Sequence, residues 1–413
     1  MHILIIHQAF ASFDEPGGTR HYEFARLLAA HGINVTVIAS PISYITGEKT
    51  SFRPSQISQN METRKKEGEV VILRASVYTA HHKSFYHRII AFFSFMLSSF
   101  WIGLGVKNVD LIWGTSPPIF QGVTAWILAR LKHAKFLFEV RDLWPQFAIA
   151  VGVLKNPVVI SLSEWLERFL YRHADHVMVN SPGFVKHVTS LGARQVELIP
   201  NGADPAMFNP ADKGTGFRKS HGLQDKFVAL YAGAHGMSND LGVVLNAAKI
   251  LQGKPAASNI QIVFLGDGKE KPVLQQQAKD FRLSNVSFLP SVPKNEMPTV
   301  LAGADVCIAI LKPLDEYRTT YPNKVFDYMA AGRPVILAID GVIRQVVESA
   351  NCGLYTEPGN AAEVANAIFN LSMDIKKSRE LGMNGRKYLE ENFSRNKMAE
   401  KLIALIDELT NQR

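Results

Sequence analysis

The chain is predicted to be an α/β protein made of two doubly wound parallel-sheet domains. Three observations carry this. Short apolar and β-branched runs alternate with longer segments of helical period along the whole length. The alternation passes through two similar cycles, separated by Pro200-Asn201-Gly202-Ala203-Asp204-Pro205, a stretch dense in turn formers. The 413 residues suffice for two domains, each with its own core.

The first cycle opens with a strand at His2–His7, which lacks the basic lead and cleavage site of a secretion signal. A Gly17-Gly18 turn then starts a helix that runs to about His31. Strands follow at Val35–Ala39, Val70–Leu73, Leu111–Trp113, Lys135–Val140, His176–Val179 and Glu197–Ile199. Helices are expected near Gln121–Leu131, Val158–Arg172 and Phe184–Ser190. The second cycle has strands at Phe227–Tyr231, Gln261–Leu265, Val286–Leu289, Val306–Ile310 and Val335–Leu337. Its helices fall near Leu241–Leu251, Val273–Phe281, Glu296–Ala302, Lys324–Ala331 and Ala361–Leu371. From Ser394 the apolar residues Met398, Leu402, Leu405, Ile406 and Leu409 form one stripe, so the last helix must pack on something, here the first domain. The expected division is 1–200, 201–384 and a returning helical segment 385–413. Pro41 to Gly68 is polar and weakly patterned, a long loop expected near the active-site mouth.

A hydrophobic content of 47% with 20% charged residues fits a soluble globular protein. The net charge of +8 is spread along the chain and slightly denser in the first half. That suits anionic phosphates or an anionic membrane surface and is too diffuse for nucleic acid. Cys307 and Cys352 sit in apolar runs and read as structural thiols of a reducing compartment, which points to a cytosolic or cytosol-facing protein. No metal-ligand cluster is apparent, and no cofactor is expected.

The most informative run is Tyr321 to Ile336. It reads as loop, short helix, tight stop and buried strand, with Asn323 as a cap, Gly332 just past the helix end and Pro334 forbidding continuation. A helix start offers unpaired N–H groups and a positive dipole end, which suits phosphate. Lys324 adds a cation there, and Asp327 lies one turn on, where a carboxylate can accept from sugar hydroxyls. Taken alone, Lys324 and Asp327 also fit an ordinary surface pair. A second run, Ile89 to Val106, has 18 residues without a charge, including Phe92, Phe93, Phe95, Phe100 and Trp101. Spanning a membrane would cut the sheet between Leu73 and Leu111. What remains is a buried helix or a surface lying in the lipid interface, with His81-His82-Lys83 and His87-Arg88 beside the headgroups.

These motifs resemble the GT-B glycosyltransferases of family 4, the retaining nucleotide-sugar transferases. The resemblance rests on Gly17-Gly18, Glu139-Val140-Arg141-Asp142-Leu143-Trp144-Pro145, Ile199-Pro200-Asn201-Gly202, Leu265-Gly266-Asp267-Gly268 and Asp327-Tyr328-Met329-Ala330-Ala331-Gly332-Arg333-Pro334. Within that family the chain is similar to bacterial N-acetyl-L-fucosamine transferases of O-antigen and capsule assembly. The resemblance implies two Rossmann-like domains, the first binding acceptor and the second binding nucleotide sugar. It implies a UDP-sugar donor, an N-acetylated amino sugar as the group moved, and an acceptor saccharide on a polyprenyl diphosphate at the cytoplasmic face of the inner membrane. It also implies metal-independent catalysis, in which the departing phosphate oxygen takes the acceptor's proton and the protein supplies position and charge.

Residue roles follow from the same resemblance. Asp327 grips the ribose, and Lys324 is the strongest candidate for stabilising the departing diphosphate. The family's first acidic residue falls on Thr319, so Thr319, Thr320 or loop amides must serve the donor sugar, with Glu316 as a nearby reserve. The usual Arg and Lys of the phosphate clamp are missing from Gly233 to Asp240, leaving Asn323, His235, Asn239, Lys269 or Arg318 to assist. His235 is alternatively a plain turn residue. Arg141 and Asp142 replace a His-Asp pair at a strand end, and Arg141 either holds a substrate group or pairs with Asp142 or Glu139. Gly17, Gly18 and Arg20 face phosphate at a helix start, Gly266 lies near the nucleotide, and Val292 near the base. Two other classes stay open: a UDP-sugar 2-epimerase of the same fold, and a non-catalytic subunit of a polysaccharide complex.

Overall fold

The computed structural model describes residues 1–42, 69–78 and 85–411. Most of the expected long loop and the His81-His82-Lys83 segment lie outside these residues. The chain forms two compact units, Met1–Pro200 with Asn396–Arg413, and Asn201–Arg395.

In the first unit seven strands form one all-parallel sheet: β1 (His2–Ile6), β2 (Asn34–Ala39), β3 (Val70–Arg74), β4 (Leu111–Ser116), β5 (Lys135–Val140), β6 (His176–Val179) and β7 (Val196–Leu198). Their order is β3-β2-β1-β4-β5-β6-β7, so the winding reverses between β1 and β4. Both faces are covered, which is why the strands read as nearly continuous apolar runs. On one face, helix Arg20–Ala30 supplies Phe24 and Leu28, and the final helix supplies Met398, Leu402 and Ile406. On the other face lie helices Phe85–Gly105, Phe120–Lys132, Pro157–His173 and Pro182–Ser190. Asn156 starts the third of these by accepting from the N–H groups of Val158 and Val159 at 3.0 and 3.2 Å.

The second unit has six parallel strands: β8 (Phe227–Ala232), β9 (Ile260–Leu265), β10 (Val286–Leu289), β11 (Val306–Ile310), β12 (Val335–Ala338) and β13 (Gly353–Tyr355). Their order is β10-β9-β8-β11-β12-β13, with the reversal between β8 and β11. The three-residue strand β13 and helix Val342–Ser349 are additions to the sequence reading; Gly-Leu-Tyr is too short to show a period. Cys307 and Cys352 are both buried and form no disulfide.

The expected boundary at 385 is corrected. Helix Ile375–Asn392 belongs to the second unit, and the return to the first unit begins at Asn396. The reason is close packing: a Cβ on Gly382 would lie 2.1 Å from the Gly332 carbonyl oxygen, and one on Gly385 2.9 Å from Cys352 Cβ. Arg386 Nη1 then donates to Ala330 O at 2.5 Å and Phe208 O at 3.0 Å.

At the carboxyl ends of β8 and β9 two loops touch. Gly266 adopts φ 139°, and a Cβ there would stand 1.9 Å from Gly233 O. Gly266→Ala is therefore expected to cost more than about 1 kcal/mol of stability, read in urea melts. A midpoint equal to the wild type would refute the close approach.

Candidate active site

Each unit places its candidate groups at the carboxyl ends of strands at or next to the point where its sheet reverses.

In the first unit β5 carries Glu139, with no exposed surface. Arg20 Nε donates to its Oε1 at 2.8 Å, and His21 Nε2 meets Oε2 at 2.5 Å. Trp113 Nε1 donates to Oε2 at 3.2 Å. Burial alone would raise the Glu139 carboxyl, but its contacts with His21 and Arg20 hold it below the ordinary carboxylate range. Burial also pushes His21 down to about 4 against the pull of Glu139, so the neutral ring donates. Arg20 Nη1 and Nη2 donate to Pro200 O and Ile199 O at 2.6 and 2.7 Å. This corrects the expectation for Arg20: it is buried, each guanidinium nitrogen is directed at protein, and it fastens the first helix to β5 and to the end of the unit.

Arg141 follows β5 and is left differently. Its Nη2 donates to Pro117 O at 3.1 Å, while its buried Nε has no hydrogen-bond partner. Among the described residues it forms no ion pair, so neither proposed pairing with Asp142 or Glu139 occurs. Asp142 is solvent-exposed beside it. Arg141, Gly17, Gly18, Trp144, Phe92 and Phe120 line a mostly apolar cavity of about 400 Å³. Sequence reasoning did not foresee this cavity, because its walls come from six separate stretches of chain.

In the second unit helix Asn323–Ala330 begins after Pro322, and no side chain caps it. The expected Asn323 cap is corrected: Asn323 is the first helical residue and is exposed. The backbone groups of that first turn are thus not engaged by a capping side chain. Lys324 Nζ donates to Tyr231 Oη at 2.8 Å and lies 3.4 Å from Asn239 Oδ1 and 4.0 Å from the Tyr231 ring centroid. The residue keeps some accessible surface, yet its ammonium is ringed by protein with no carboxylate in contact. Desolvation accordingly lowers its pKa to about 7. A Cβ on Gly233 would sit 3.0 Å from this Nζ, so the glycine makes room for it.

Asp327 is half-buried, and its Oδ2 accepts from Lys294 Nζ at 2.6 Å. Its Oδ1 carries no protein hydrogen bond among the described residues. Lys294 was missed by sequence reasoning and is 33 residues away in the chain. Asp267 organises the turn beside them: its Oδ1 accepts from Lys271 Nζ and its Oδ2 from the Ser291 N–H, both at 2.8 Å, which fixes the chain at Ser291-Val292. Gly266 is buried in that turn, and Lys269 is exposed and outside every ion pair of the described residues.

His235 departs from its expected charge. It is fully buried against Tyr231, Phe264 and Phe288, both ring nitrogens lack partners, and burial lowers its pKa to about 4. A neutral ring adds no charge to a phosphate clamp. Arg318 pairs with Asp340 at 2.8 Å, and the hydroxyls of Thr319 and Thr320 donate to Glu316 O and Tyr317 O at 2.6 and 2.8 Å. The structure thus gathers Lys324, Asn239 and the Gly233 turn beside the helix start at Asn323, sets Asp327 one helical turn on, buries the His235 ring behind Tyr231, and leaves Lys269 exposed. Among the described residues no group of three or more His, Cys, Asp or Glu is arranged to hold a metal ion.

Residues 17–202 match the glycosyl transferase 4-like domain family, and residues 226–374 match the family of glycosyl transferases group 1. With its two parallel-sheet units, the chain is a glycosyltransferase of GT-B fold built from these two domains. It is 25% identical over 359 residues to the putative colanic acid biosynthesis glycosyl transferase WcaI of Escherichia coli (strain K12), covering 84% of this chain and 82% of that one. In fold it is similar to sucrose-phosphate synthase from Thermosynechococcus elongatus, with TM-score 0.76, 18% identity and all of both chains covered. It is also similar to Anabaena HepE, solved with UDP and glucose, with TM-score 0.72, 17% identity and 99% and 100% of the two chains covered. At these identities the two structures speak for the fold alone.

Replacing Arg20 by Met removes the cation that answers a carboxylate with no access to water. The expected loss is about 3–5 kcal/mol of unfolding free energy. Urea melts measure it, and a loss below about 1 kcal/mol would show that Arg20 is not the anchor described.

Proposed function

We propose that the protein moves a sugar from a UDP-sugar to a lipid-linked saccharide in bacterial surface-polysaccharide synthesis. One observation carries the donor half: an uncapped helix start with an unpaired ammonium, Lys324, and a carboxylate one turn further on. The diphosphate of UDP meets Asn323, Lys324 and the helix dipole, and the ribose hydroxyls donate to Asp327. HepE, of like fold, was solved with UDP and glucose, which supports a nucleotide donor here. Thr319, Thr320 and Arg318 are the proposed contacts to the donor sugar, and Val292 to the base. An N-acetylated amino sugar rests on the motif resemblance alone.

The acceptor half rests on the cavity of the first unit. Its apolar lining suits the lipid end of a polyprenyl-diphosphate saccharide, and Arg141 offers an unanswered cation to the acceptor's phosphate. The name of the colanic acid relative supports a polysaccharide product. The proposed location is the cytoplasmic face of the inner membrane, in keeping with two free, buried thiols.

In the reaction the bond between the donor's anomeric carbon and the UDP oxygen breaks. The acceptor oxygen bonds to that carbon on the same face. Its proton passes to the departing diphosphate, whose growing charge Lys324 and the helix start stabilise. An epimerase would instead change the UDP-sugar without an acceptor, and no relative above carries that name. Incubating the protein with a panel of UDP-sugars, with and without a prenyl-diphosphate saccharide, and weighing the products tests the reading. A product requiring both substrates is expected; a donor altered without acceptor would contradict it.

Two variants test the roles. Asp327→Asn is expected to weaken UDP binding roughly tenfold to a hundredfold, and an unchanged dissociation constant by calorimetry would remove the ribose assignment. For Lys324, UDP stabilises the ammonium and lifts its pKa from about 7, so binding above neutral pH takes up a proton and weakens as pH rises. At pH 8 the binding heat should vary with the buffer's ionisation enthalpy in the wild type and not in Lys324→Met. The same variant should lose about 100-fold or more in turnover, beyond any loss of affinity. Buffer-independent heat in the wild type would exclude Lys324 from the diphosphate.

A further inference from the structure

The helix layer on one face of the first sheet has an outer side that the sheet does not use. Helix Phe85–Gly105 buries Ala91, Phe95 and Ser99 and turns Ile90, Phe93, Leu97, Trp101 and Leu104 outward, all on one stripe of helical spacing. Helix Pro157–His173 does the same with Val158, Leu162 and Trp165. Helix Phe120–Lys132 lies between them, joined by the Phe93–Phe120 and Trp126–Phe169 ring contacts at 4.6 and 4.8 Å. Of the 18 large apolar residues exposed among the described residues, nine stand on these three helices. Trp101 is 70% exposed and Trp165 60%, far beyond what a freely solvated surface favours. Yet no helix of the described residues is long and apolar enough to cross a membrane.

The second observation lies at the far end of the same layer. Arg172 continues the outward stripe of helix Pro157–His173, two turns beyond Trp165. With Arg130 and Arg194 it lines a surface depression of about 520 Å³. All three arginines are exposed. The acid there, Asp175, is engaged by the Phe136 N–H at 2.8 Å through its Oδ2. At the opposite end, Ile89, Phe92, Val159 and Ser163 of the two outer helices wall the acceptor cavity. From Val158 to Arg172 the stripe is roughly 20 Å long, at the rise of an α-helix.

We propose that this face docks flat on an anionic lipid bilayer. The two tryptophans and the aliphatic stripes enter the interface, and Arg130, Arg172 and Arg194 receive a phospholipid headgroup phosphate. Aromatic residues prefer that depth, and arginines at the rim match the charge of the surface. The cavity then opens beside the lipid, so a lipid-anchored acceptor reaches it without leaving the membrane. This extends the acceptor reading, but its test is separable, because UDP binding depends on the other unit.

The test is co-sedimentation of the full chain with vesicles of phosphatidylcholine alone and of phosphatidylcholine mixed with phosphatidylglycerol. The wild type is expected to pellet with the mixed vesicles and to do so less at high salt. Trp101→Ser with Trp165→Ser should reduce pelleting about tenfold or more. Arg130→Glu with Arg172→Glu should abolish the preference for anionic vesicles, and inorganic phosphate should not displace the wild type. All four positions are exposed, so melting curves and UDP affinity should stay at wild-type values, which separates this result from the donor assignment. A wild type that stays in the supernatant with both vesicles overturns the proposal. So do variants that pellet normally, retention that inorganic phosphate abolishes, or a tryptophan variant whose only change is from dimer to monomer in sedimentation velocity.

Discussion

An all-parallel sheet that reverses its winding direction leaves the carboxyl ends of its two central strands free of a crossover, and both half-sites depend on that constraint. In the first unit the reversal lies between β1 and β4, and Glu139 and Arg141 stand at the end of neighbouring β5. In the second it lies between β8 and β11, and the Gly233 turn, Asn239 and Lys324 gather there. Helix starts and strand ends then converge, so backbone donors and charged side chains meet in one place.

The two half-sites answer their charges in opposite ways. Glu139 is fully buried, and Arg20, His21 and Trp113 meet it with three hydrogen bonds. That network is directed at protein groups, and it ties β4, β5 and the first helix together beside the cavity. Arg141 is what the network leaves over, a cation without a carboxylate partner. Lys324 is left in the same condition in the second unit, held by a phenol oxygen and an amide oxygen. An ammonium in neutral surroundings is costly to keep charged, which is why its pKa falls towards neutrality. An arriving diphosphate supplies the missing counter-charge.

Much of this was legible in the sequence because it is local. The strands are apolar β-branched runs, the joint at Pro200–Pro205 is a cluster of turn formers, and the stripe from Met398 to Leu409 has helical spacing. The stop at Gly332 was legible too, since its φ of 65° suits glycine. What the sequence hid depends on distance along the chain. Arg20 reads as a helix-start cation until Glu139, 119 residues on, is seen to occupy it. His235 reads as a clamp residue until Phe264 and Phe288 close around it. Lys294 carries no signal of its own, and the return of the chain at Asn396 is set by Gly382 and Gly385 fitting against a neighbouring turn. The outward stripe of helix Pro157–His173 was equally hidden, because spacing alone does not say which face a helix buries.

In the reading proposed above, one short helix of the second unit, Asn323–Ala330, receives a nucleotide diphosphate. A crystal structure of the protein soaked with UDP tests it most directly. Phosphate density is expected against the N–H groups of Asn323 and Lys324, with Lys324 Nζ in contact and the ribose hydroxyls on Asp327. Density seated elsewhere, or a diphosphate that touches neither residue, would contradict it.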